Sequence, residues 1–229
     1  MKHLFACVAL LTTTSANAHY LWIEQPAEGN AIIRFGEYND GLIERSPGRM
    51  EEMPSVEAFQ GNKPLAVSSS PNGFQLSAKA GREGLTAREG DYAVKDWRAN
   101  GIGLAKPMYY ARFGPATAPS LDLDVVAAAT GGTVQIFLKG KPLSAASVNI
   151  YAPNGWSRSE RADTEGKLTI TTPWRGQYVL EVIHAENKPG SFNGAAYDVI
   201  RHRATLTLVQ SNGSATFTIP AAAQDKDMK

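Results

Sequence analysis

No segment of convincing length in this chain repeats its apolar residues at helical spacing, and that limits the available folds more than anything else in it. What recurs is a short run of alternating apolar and polar residues, bounded by Gly, Pro, Asn or Ser. Examples are Ala31-Ile32-Ile33-Arg34-Phe35, Gly73-Phe74-Gln75-Leu76-Ser77, the run from Thr133 to Leu138, Ser147-Val148-Asn149-Ile150-Tyr151, and the run from Thr205 to Val209. A period of two sends alternate side chains to opposite faces, so each run reads as a strand with one buried side. The one helical candidate, Pro54-Ser55-Val56-Glu57-Ala58-Phe59, is short. The expected fold class is all-β, arranged as two β-sandwich domains.

Two prolines and several small residues in Phe113-Gly114-Pro115-Ala116-Thr117-Ala118-Pro119-Ser120 separate two strand-rich halves. The expected organisation is a leader at 1–18, an N-terminal β domain at 19–120, a C-terminal sandwich at 121–221 and a disordered tail at 222–229. The first half is looser, with long polar stretches from Asn39 to Met53 and from Trp97 to Lys106. Loops of that length in a compact domain are usually functional or mobile, and either property suits a binding edge.

The leader reads MKHLFACVALLTTTSANA: Lys2 gives a positive start, Leu4 to Leu11 an apolar run, and Ala16-Asn17-Ala18 a small-residue exit. That pattern is a secretory signal, and its apolar run is too short to span a bilayer. Cleavage after Ala18 would remove Cys7, the only cysteine, so the mature chain would carry neither thiol nor disulfide. A bacterial periplasm is the expected location. Loss of Lys2 from the 23 Lys and Arg leaves 22, against 22 Asp and Glu. No long-range field then favours nucleic acid or an anionic membrane, and neither is expected as a partner.

The mature chain keeps three histidines, His19, His184 and His202. Cleavage makes His19 the first residue, and a terminal histidine can close its amine and ring Nδ1 on one metal ion as a chelate. An amine of ordinary pKa near 8 loses its proton cheaply once a metal competes for the lone pair. In the later strands Tyr178, Leu180 and Val182 share a face with His184, and Ile200, Ala204, Leu206 and Leu208 share one with His202. An antiparallel hairpin pairing Leu180 with Leu206 and Val182 with Ala204 places His184 opposite His202. A slip of one residue would send one ring to the other face. A lone histidine on an apolar strand face is more often a bonded core residue than a ligand, so the metal reading rests on the three together.

Other signals are weaker. Met50 and Met53 read as packing before they read as thioether ligands, and Tyr20, Trp22, Trp97, Tyr109 and Tyr110 as core before they read as a groove. Asp96 and Asp198 are ordinary loop charges unless they complete a metal shell. The chain has no G-x-S-x-G elbow, no H-E-x-x-H and no phosphate-cradling glycine loop, so it is not expected to be an enzyme.

Two resemblances join these pieces. Gly140-Lys141-Pro142-Leu143 with Val148, the Asp163-Thr164-Glu165-Gly166 turn, and Pro173 to Val182 resemble a transthyretin-like or carboxypeptidase-regulatory β-sandwich, over about residues 122 to 220. That implies a fold and no function. His19-Tyr20-Leu21-Trp22-Ile23-Glu24, with Tyr178 to His184, Lys188-Pro189-Gly190 and Tyr197 to Arg201, resembles a bacterial periplasmic family of unknown function. It is described as a nickel uptake transporter family, or the periplasmic component of cobalt and nickel ABC transport. The resemblance implies a periplasmic protein that binds nickel, cobalt or copper and passes it to membrane transporter components. Its start motif carries over to His19, whereas His184 and His202 come from the register argument. The expected metal site is therefore His19, His184 and His202, with a non-metal envelope interaction module or a histidine-brace copper redox protein as alternatives.

Overall fold

The computed structural model describes residues 19–81, 84–128 and 132–216. The leader read at 1–18 and the tail read at 222–229 lie outside the described residues. Among the described residues there is no α-helix, only three short 3-10 turns at Tyr38–Asp40, Arg49–Glu52 and Arg98–Asn100. The fold is an all-β sandwich. The helical candidate at Pro54 to Phe59 is overturned: Glu57–Gln60 is a strand that pairs with Leu85–Glu89. Six residues cannot repay the cost of nucleating a helix, and the alternation of exposed Glu57 with buried Ala58 is a strand's.

The central sheet runs through both halves of the chain. Its strands lie in the order Ser157–Arg161, Ser147–Tyr151, Gly176–Glu186, Val199–Gln210, Leu104–Phe113, Leu85–Glu89, Glu57–Gln60 and Lys63–Leu65. The halves join where Val199–Gln210 pairs in parallel with Leu104–Phe113, Tyr109 beside Arg203 and Tyr110 beside Ala204. Among the described residues the other strand pairings are antiparallel, with one isolated parallel bridge between Trp174 and Ser214.

Each face of this sheet is covered by a smaller one. Tyr110, Leu180, Val182, Ala204 and Leu206 point to one side, where they pack with Leu123, Val125, Val134 and Ile136 of the C-terminal sheet. Tyr109, Ala111, Phe113, Leu85 and Ala87 point to the other side, where they meet Leu21, Ile23, Ile33 and Phe35 of the N-terminal sheet. Parity along each strand therefore decides which core a residue enters. Arg112 ties the halves together: its Nε reaches Asp124 Oδ1 at 2.8 Å and its Nη2 Asp124 Oδ2 at 2.5 Å, with both side chains buried.

Candidate functional site

The first strand, Tyr20–Glu24, is buried on both sides. Leu21 and Ile23 enter the N-terminal core, while Tyr20 and Trp22 pack with Val179 and Tyr151. Two hydrogen bonds pin its backbone across the last strand: Thr205 Oγ1 donates to the Leu21 carbonyl at 2.6 Å and Arg203 Nη1 to the His19 carbonyl at 3.1 Å. Arg203 is itself held by Glu181 at 2.7 Å, and Glu181 also accepts from Tyr151 at 2.7 Å. His19 is consequently fixed at the seam between the first strand and the central sheet.

Its ring is 3% exposed and lies between two carboxylates. Nε2 contacts Glu44 and lies 3.3 Å from Arg49 Nη1; the Glu44 contact is the shorter, and because a carboxylate only accepts, we assign the ring proton to Nε2. Nδ1 then carries the lone pair. It faces Glu37 Oε1 at 3.3 Å, and neither of these buried atoms makes a hydrogen bond among the described residues. Burial above all, and then the charge of Arg49, hold the His19 pKa below its usual value against the opposing pull of Glu44. Burial likewise raises the Glu37 pKa to about 7, with the neighbouring Asp40 adding to it. Glu37 follows directly on Gly36, whose φ of +147° lets the chain pass close to the Leu42 carbonyl, where a Cβ would not fit.

Beside His19 opens a cavity of about 90 Å³. Arg49, Lys95, Arg201 and Arg203 line it together with the aromatic side chains of Tyr92, Trp97 and Tyr109. Arg49 and Trp97 come from the two polar stretches that read as functional loops. Buried Lys106 braces the wall from behind, its Nζ donating at 2.6 Å to the carbonyls of Gly90 and Tyr92.

The expected pairing of the other two histidines is present. Leu180 lies opposite Leu206, Val182 opposite Ala204 and His184 opposite His202, with the rings 6.4 Å apart. His202 is buried, its Nδ1 3.1 Å from the Tyr110 hydroxyl and its Nε2 3.3 Å from Glu186. Burial lowers its pKa, and Glu186 pulls the other way. His184 is half-buried.

What the structure does not bring together is this pair and His19. His202 stands on the face that carries Tyr110, whereas His19 meets the face that carries Tyr109 and Arg203. The convergence of all three is therefore corrected: the first strand does cross the last strand, but on the opposite side of the sheet from the histidine pair. Among the described residues, no group of three or more His, Cys, Asp or Glu side chains is placed to hold a metal ion. A chelate through the His19 amine would need fewer side chains than that.

Of the lesser candidates, Met50 and Met53 are buried in the N-terminal core. Asp96 pairs with Arg98 on the surface, and Asp198 accepts the Leu104 backbone N–H at 2.9 Å. Glu37, Glu44, Arg201 and Arg203 were not singled out by the sequence. The two arginines flank His202, so the parity that aligned the histidines already sent both to the other face. No sequence pattern marks Glu37, and Glu44 is marked only by its place in the polar stretch from Asn39 to Met53. No protein-family model, curated protein or solved structure matches this chain.

Proposed function

We propose that the protein binds a divalent transition metal ion at His19, in the periplasm, after its leader is cleaved. The observation that carries this reading is the buried pair His19 Nδ1 and Glu37 Oε1, which face each other at 3.3 Å while neither makes a hydrogen bond among the described residues. A metal ion bound to nitrogen and carboxylate oxygen at about 2.0–2.2 Å from each holds two such donors near that separation. Glu44 on Nε2 adds the usual outer partner of a metal-bound histidine, a carboxylate on the other ring nitrogen, which fixes the tautomer. The ligands would be the His19 amine, its Nδ1 and the Glu37 carboxylate. The ion displaces any proton that Glu37 retains.

His184 and His202 leave this ligand set because they occupy the other face. Without a second imidazole at His19, the histidine-brace redox reading loses its support as well. A thiolate-free set of nitrogen and oxygen donors favours Cu(II) over Ni(II), and Ni(II) over Co(II). The resemblance of the start motif favours nickel or cobalt, with hand-over to an ABC-type importer as the role.

The test compares the chain beginning at His19 with one that carries a single extra residue before it. Titration with Cu(II), Ni(II), Co(II) and Zn(II) is expected to show tighter binding by the first. Equal binding by both would overturn the terminal chelate.

A further inference from the structure

The cavity next to His19 has cations that differ in one respect. Lys95 is paired with Glu52 at 2.7 Å, Arg203 with Glu181 at 2.7 Å, and Arg49 lies 3.9 Å from Glu44 and 3.8 Å from Glu52. Arg201 has no carboxylate within salt-bridge distance among the described residues. Its guanidinium carbon sits 5.4 Å from the centre of the Trp97 ring, and Arg203 projects from the same face two residues on. Arg201 is half-buried, and burial together with the Arg203 charge depresses its pKa. A half-buried guanidinium next to a second one carries a repulsive cost that an anion would relieve, and its five donors are made for that ligand.

The size and shape of the space narrow the choice. At about 90 Å³ it is smaller than the roughly 150 Å³ cavity that holds benzene, so the guest has only a few heavy atoms or enters by one end. The guanidinium presents a planar N–H fork, which a planar carboxylate meets with two parallel hydrogen bonds. The carbon end of a carboxylate can rest on the aromatic walls of Tyr92, Trp97 and Tyr109, which the all-oxygen surface of phosphate does not match.

We propose that this cavity is a binding site for a small carboxylate anion, with Arg201 as its two-pronged anchor, Trp97 as its wall and Arg203 as the second positive charge. His19 also lines this cavity, but the anchoring residues are not among the proposed metal ligands, and the site needs no metal ion.

The test uses the full protein treated with a chelating resin, titrated calorimetrically with acetate, oxalate, malonate and phosphate at constant ionic strength. At least one carboxylate should bind saturably, and about tenfold or more tightly than phosphate. Arg201→Gln should weaken that binding by about tenfold or more, the scale of one lost charge-assisted pair. Its unfolding temperature without ligand should fall little, since only the contact with Trp97 is lost and no ion pair is broken. Arg201→Lys, which keeps the charge and loses the fork, should also weaken binding. Absence of saturable carboxylate binding, phosphate binding as tight as the best carboxylate, or unchanged affinity in both Arg201 variants would each overturn the proposal.

Discussion

His202 and Arg203 are neighbours in the last strand and face opposite sandwiches. His202 lies against Tyr110 on the C-terminal side, and Arg203 donates to the His19 carbonyl on the N-terminal side. One backbone step therefore separates the histidine pair from the candidate metal site. The three histidines divide into two sets that experiment can treat separately.

The first expectation concerns that division. Glu44→Gln should lower metal affinity by about 10–100-fold, the usual effect of losing the outer carboxylate on a metal-bound histidine. Glu37→Gln should weaken binding at least as much, while His184→Ala and His202→Ala should leave it unchanged. Metal titration of the four variants, each beginning at His19, provides the check.

Gly36→Ala should be costly in a way that reports on the same site. The substitution puts a Cβ against the Leu42 carbonyl and holds alanine at a φ of +147°, a conformation that strains any residue with a side chain. A loss of about 1–3 kcal/mol is expected in urea unfolding. Metal affinity should fall as well, since Glu37 is the next residue.

Stability should fall on acidification, and part of that fall belongs to His202. Its folded pKa lies below its ordinary 6.5, so the contribution is complete above 6.5 and is lost as pH drops through the folded value. Glu186 and Asp122 oppose the shift and Lys139 supports it. Urea midpoints of the wild type should therefore decline below pH 6.5, and His202→Gln should show a shallower decline.

Asp124→Ala should be among the most damaging single changes. It leaves Arg112 buried without its counter-charge and removes the acceptor of the Ser120 N–H. Breaking one side of a buried ion pair costs about 3–5 kcal/mol. Replacing both residues by apolar ones of similar volume should recover much of the loss, because the orphaned charge is then gone.

Much of this architecture was legible in the sequence, for a definite reason. Side-chain period two is local, so the strands and even the His184–His202 register could be read from Leu180, Val182, Ala204 and Leu206 alone. Which sheet covers which face is a long-range property. Nothing near His19 announces that its strand crosses Arg203 rather than His202. Glu37 and Glu44 were hidden for a related reason: each is an unremarkable loop-edge carboxylate until the first strand lies beside it. Arg49 was signalled only by the length of its loop, and Trp97 by its loop and as one of several aromatics that could line a groove.

The parallel pairing of Leu104–Phe113 with Val199–Gln210 joins two segments that lie far apart in the sequence, one from the middle of the chain and one made much later. The N-terminal sheet packs partly against that last strand, and the Thr205 and Arg203 contacts that seat the first strand lie within it. A chain ending near residue 120 therefore lacks the floor on which His19 rests. The N-terminal half should stay protease-sensitive until Val199–Gln210 is in place, so that the His19 site waits on the last strand as well as on removal of the leader.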